Sequence, residues 1–113
     1  MYQDTGMTWT VEIHPKVEKF IEKHLEPGDQ VRVIALFERL EKNGVGLGWP
    51  HTRQIEGKLW ELRPRTARGS WRFLYVSMSG RLFCVVYGMP HRSKITQDVK
   101  RTAYNRSAYC EET

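Results

Sequence analysis

Five cationic side chains, Arg63, Arg72, His91, Arg92 and Lys94, sit at the ends of three short apolar runs. The runs are Leu59–Arg63, Trp71–Ser77 and Leu82–Tyr87. They are rich in β-branched and aromatic residues and are separated by Gly, Ser and Pro, the pattern of consecutive antiparallel strands. A chain that reverses between the first two runs brings Arg63 and Arg72 to one end of a sheet. The third run ends in Gly88 and a polar hook, Pro90-His91-Arg92-Ser93-Lys94. The expected result is a cationic pocket of phosphate size. Arginine forks grip phosphate oxygens through paired contacts, and clustered donors stabilise the charge that builds as phosphorus is attacked. Histidine is the residue type that moves protons near neutrality, so His91 is the candidate proton carrier.

A divalent-metal nuclease would need paired carboxylates beside these bases. Between residues 53 and 106 there are twelve Lys and Arg but only three acids, Glu56, Glu61 and Asp98, a net of +9. No metal and no cofactor are therefore expected. Cleavage without a metal needs an internal nucleophile, which RNA supplies as its 2′-hydroxyl. The products would be a 2′,3′-cyclic phosphate (or 3′-phosphate) and a 5′-hydroxyl. A purely structural explanation competes for Arg72. It lies in a strand that is apolar on both faces, where a cation is costly without an anion, and Glu61 is the obvious internal partner.

The whole chain carries +5 with a pI near 9.4, but residues 1–52 hold six bases against eight acids. The positive charge is thus concentrated on the sheet and the C-terminal segment after it, the footprint of a polyanion ligand. Lys58, Arg53, Arg65, Arg68, Lys100 and Arg101 are the expected RNA-binding residues around the pocket. Solvated arginine on a small surface is the bland alternative. The 113 residues, 40% hydrophobic and 27% charged, suit one globular domain. No apolar run reaches the roughly 18–20 residues of a membrane helix. The N-terminus MYQDTGMTWT lacks the regions of a signal peptide, so a cytoplasmic protein is expected. Cys84 and Cys110 follow no metal spacing. Cys84 is expected as a small buried apolar residue, without a disulfide.

The elements that must position these residues begin with a half-buried strand, Trp9-Thr10-Val11-Glu12-Ile13, closed by His14-Pro15. An amphipathic helix over Lys16–Leu25 presents Val17, Phe20, Ile21 and Leu25 on one side. Pro27-Gly28 breaks it, and Asp29 is the expected N-cap of a second helix, Gln30–Lys42, with the stripe Val33, Ile34, Phe37 and Leu40. Asn43-Gly44 stops that helix. Val45–Gln54 reads as a connector whose His51 and Arg53 could border a site. In the second sheet run, Arg72, Leu74 and Val76 share one face and Trp71, Phe73 and Tyr75 the other, as in a central strand. Thr96 is the expected N-cap of a last helix, Gln97–Ala108, whose Lys100, Arg101 and Arg106 extend the positive surface.

Leu59-Trp60-Glu61-Leu62-Arg63, then Trp71-Arg72-Phe73-Leu74-Tyr75-Val76, then Val86-Tyr87-Gly88 with its basic hook, resembles the RelE/ParE toxin superfamily, in particular its phage-derived, HigB-like branch. The resemblance spans about residues 30–108. It implies one RelE/HigB-like domain over residues 1–113 with an α+β fold: a strand, two helices packed on a small antiparallel sheet, and a C-terminal helix. It also implies ribosome-dependent mRNA cleavage, contact with mRNA and 16S-type ribosomal RNA, and neutralisation by a cognate antitoxin of helix-turn-helix type, with no membrane involvement. Arg63 and Arg72 match the family's phosphate-binding arginines, and His91 and Arg92, with Lys94 nearby, match its hook bases. The chain departs from the pattern at Met89, where relatives have Phe, at Pro90, and at His91, which replaces a lysine. Two further functions stay open: a ParE-like inhibitor of DNA gyrase that cuts nothing, and an inactive phage accessory protein.

Overall fold

The computed structural model describes residues 8–111; residues 1–7, which bear on the signal-peptide expectation, and residues 112–113 lie outside the described part. The chain runs β1 (Thr10–Ile13), α1 (Pro15–His24), α2 (Pro27–Asn43), a 3-10 turn (Gly44–Gly46), β2 (Thr52–Glu56), β3 (Leu59–Leu62), β4 (Arg65–Thr66), β5 (Gly69–Met78), β6 (Leu82–Pro90) and α3 (Gln97–Glu111). The main sheet has the order β1-β6-β5-β3-β2, and β4 pairs with the start of β5. The fold is α+β, as expected. The sheet, however, is mixed, because β1 pairs with β6 in parallel while the later strands pair antiparallel. Two helices lie between β1 and the rest, so β1 is free of the hairpin geometry that forces antiparallel pairing.

The alternation of β5 holds. Trp71, Phe73 and Tyr75 face α1 and α2 with Val17, Ile21, Val33, Leu36, Phe37 and Leu40. Leu74 and Val76 face the other way, toward Ala103 and Cys110 of α3, with Cys84 and Val86 of β6. A sheet apolar on both faces needs a cover on each, and the helical pair and α3 supply them. Ahead of β1, Trp9 stacks on Phe83 with ring centroids 4.3 Å apart. Gly44, at φ +54°, passes directly beneath the Trp9 indole, where a Cβ would collide with the ring. Gly88 of β6 likewise admits Phe20 of α1: a Cβ there would lie 2.7 Å from that ring and 2.9 Å from Phe73.

Several local expectations are corrected. Helix α2 starts at Pro27 with Glu26 as its N-cap residue, so Asp29 is a buried first-turn residue rather than the cap. Proline belongs in the first helical turn, where its missing N–H has no partner to lose. Leu36 is buried in the place the stripe gives to Ile34, and Ile34 is 40% exposed. The connector runs into an unexpected edge strand, β2, which takes up its last three residues and whose TRQIE sequence carries a single large apolar residue and hence no strand signal. Helix α3 extends beyond Ala108 to Glu111, with Val99 N–H donating to the Thr96 hydroxyl at 3.1 Å as the cap predicts. Cys84 is buried, but it forms a disulfide with Cys110, because α3 lies across β6 and brings the two Cα atoms to 6.1 Å.

Candidate active-site cleft

Glu61 is the centre of the cationic cluster. It sits in β3 on the α3 side of the sheet, opposite Leu74 in register, and is fully buried. Burying a lone carboxylate is prohibitively costly, so the chain surrounds it with arginines. Arg72 donates Nε–H to Oε1 at 2.6 Å, while Arg53 Nε and Arg63 Nη1 approach Oε2 at 2.9 and 3.4 Å. Three guanidinium groups on one carboxylate leave a local excess of positive charge. Arg72 also donates from Nη1 to the backbone carbonyls of Ser93, at 2.8 Å, and His91, at 3.4 Å. It therefore ties β5 to the hook that follows β6. The His91 N–H donates in turn to the Ser70 carbonyl at 3.1 Å, closing the same corner.

Beside this corner a cleft of about 580 Å³ opens. Its walls are Arg32 and Arg39 of α2, Trp49 and His51 of the loop before β2, Arg63 and Arg65 after β3, and Ser70, Trp71 and His91. Four arginines and two histidines line it, and no acid does among the described residues. Arg63 bridges the two regions: while Nη1 reaches Glu61, the guanidinium carbon lies 4.9 Å from the centre of the Trp49 ring. The indole nitrogen of Trp71 is buried without a hydrogen-bond partner. Among the described residues, no three His, Cys, Asp or Glu side chains gather closely enough to hold a metal ion.

The expected site residues divide. Arg63, Arg72 and the hook meet at one corner, and Arg63 and His91 line the cleft. Arg72 does not line it; its guanidinium is engaged by Glu61 and by hook carbonyls. Arg92 and Lys94 are on the hook and are not among the lining residues. Of the expected RNA-binding residues, Arg65 lines the cleft. Arg53 is half-exposed and paired with Glu61, and Arg68 is exposed in the turn between β4 and β5. Lys58 stands at the opposite end of β3, beside a second cleft against α3. Lys100 and Arg101 are engaged on α3 by Glu56, at 2.7 Å, and Asp98, at 2.6 Å. Arg32, Arg39 and Trp49 lie outside the strand-and-hook pattern. The only trace of the two arginines in the sequence is their spacing of seven, which keeps them on one helix face.

A sequence profile described as phage derived protein Gp49-like matches residues 22–107, well over half of the chain. No curated protein sequence matches it. Among solved structures, a mutant of the Escherichia coli toxin RelE in the free state superposes with a TM-score of 0.64 at 11% identity, covering 88% of this chain and 98% of that one. The archaeal RelE–RelB complex from Pyrococcus horikoshii gives 0.61 at 24% identity, over 77% of this chain and all of the other. At such identities the likeness is one of fold. The chain thus has a RelE-like fold and belongs to the Gp49-like family of phage-derived proteins.

Proposed function

We propose that this protein is the toxin of a type II toxin–antitoxin system, an endoribonuclease that cleaves mRNA on the ribosome without a metal ion. The observation that carries this reading is the cleft lined by four arginines and two histidines and by no acid among the described residues. In this reading Arg63 and Arg65, which both line the cleft, take the non-bridging oxygens of a phosphodiester. One imidazole of His51 and His91 accepts the proton of the 2′-hydroxyl as the O2′–P bond forms. The other returns a proton to the 5′-oxygen as the P–O5′ bond breaks, leaving a 2′,3′-cyclic phosphate and a 5′-hydroxyl. Arg72 holds the hook that carries His91, and Arg92 and Lys94 on that hook meet the RNA backbone. The archaeal neighbour was solved as a complex with RelB. We assign this chain a corresponding protein partner, an antitoxin that silences it.

The test is a defined mRNA on translating ribosomes. Cleavage in the ribosomal A site with the stated end groups is the expected result, and His91→Ala should slow it by about 10²–10⁴-fold. Intact message with the wild-type protein sinks the proposal. Inhibition of gyrase supercoiling in the same preparation would replace it with the ParE-like function.

A further inference from the structure

We propose that Trp49 is a stacking platform for an unpaired nucleobase, so that the cleft takes single-stranded RNA with Arg32 and Arg39 on the phosphates beside that base. The inference deepens the RNA reading above and rests on it for the class of ligand. Its starting point is an anomaly of burial. Trp9, Trp60 and Trp71 all pack against the core beneath α1 and α2, whereas Trp49 is 67% exposed. An exposed indole at the mouth of a basic cleft leaves a large apolar surface in water unless something covers it.

The local geometry prepares that surface for a flat partner. The Arg63 guanidinium lies over one part of the indole at 4.9 Å, which orients the ring without burying it. Arg63 is itself anchored on buried Glu61, so the ring is referenced to the sheet and not only to its loop. Arg32 and Arg39 lie seven residues apart on α2, two turns or about 10 Å along the axis. They line the same cleft as Trp49. A π-surface beside a row of phosphate-binding cations is the combination that holds single strands, because every base has a face to stack and every nucleotide a charge to neutralise. A duplex keeps its bases stacked inside and has none to offer. An acidic peptide could use the arginines but would have no use for the exposed indole.

The experiment uses the full chain and a short RNA made uncleavable by 2′-O-methyl groups, followed by intrinsic tryptophan fluorescence. Wild type should bind with quenching that disappears in Trp49→Ala, and that variant should bind roughly 5- to 150-fold more weakly. Trp49→Phe should recover most of the affinity. A scan of abasic sites should find one position whose missing base weakens wild type but not Trp49→Ala. Equal affinity of wild type and Trp49→Ala, or no such position, overturns the inference even if ribosomal cleavage is intact. Binding with Trp49-dependent quenching, together with an intact message in the separate assay on translating ribosomes, upholds it and removes the nuclease instead. Absence of any binding to the RNA overturns it, and so does an acidic peptide showing the same Trp49 dependence in RNA's place.

Discussion

Glu61 shows how one buried carboxylate can gather cations from three separate stretches of the chain. A glutamate in the middle of a strand, flanked by apolar neighbours, would be a liability if it were not matched by Arg53, Arg63 and Arg72. Removing its charge leaves those guanidinium groups crowded, with Arg72 only 13% exposed and its best partner gone. Glu61→Gln should therefore cost about 3–5 kcal/mol of stability, read from urea unfolding. If the loss is only a few tenths of a kcal/mol, the arginines are held by something other than this carboxylate. The expectation that Glu61 could be the structural partner of Arg72 holds. With its donors directed at Glu61 and at the carbonyls of His91 and Ser93, Arg72 positions the hook, while Arg63 and Arg65 stay within reach of the cleft.

At the scale of elements, α1 carries an unusual cap. His14 Nδ1 accepts the Lys16 N–H at 3.0 Å, a role usually taken by Ser, Thr, Asp or Asn. An accepting nitrogen must be unprotonated. Burial, then the nearby charges of Arg106 and Lys16, lower the affinity of His14 for a proton relative to an ordinary histidine. With the folded-state pKa below the unfolded one, the unfolded chain binds the extra proton first. Stability should then decline as pH falls from about 6.5, the ordinary histidine value, through the lowered value in the fold. His14→Asn keeps an accepting cap and removes the titration, so its unfolding free energy should lose that acid slope. An unchanged slope would assign it to other groups. Helix α2 has two faces with separate tasks: Val33, Leu36, Phe37 and Leu40 pack on the sheet, while Arg32 and Arg39 wall the cleft. Only the first of these tasks leaves a hydrophobic period to read.

The molecule as a whole is a sheet sandwiched between unequal covers. The helical pair buries a continuous set of large side chains, whereas α3 contributes small ones, Ala103, Ser107 and Cys110. Its hold on β6 is supplemented by the Cys84–Cys110 disulfide and by the Arg106 Nη1 donor on the Val86 carbonyl at 3.0 Å. A cross-link between residues 26 apart restricts the unfolded chain by about 3–4 kcal/mol. Reduction, or Cys110→Ala, should lower unfolding stability by that order and speed amide exchange across α3 more than across α2. Equal exchange in both helices would show that α3 is held by its packing alone.

Periodicity and punctuation are enough to recover α1, α2, α3, β1, β3, β5 and β6, because each buries a face large enough to leave a two- or four-residue rhythm in the sequence. The convergence of Arg63, Arg72 and the hook is also legible, since strand reversal at Gly- and Pro-rich turns dictates which ends meet. Edge strand β2 is not, being mostly polar on a solvated rim. Nor is the disulfide, since pairing two cysteines depends on α3 crossing β6. Which arginines face the cleft is decided only in three dimensions. A cation's place in the sequence does not say whether a buried carboxylate will claim it, and Arg32, Arg39 and Trp49 come to the site from elements whose local patterns record only what they bury.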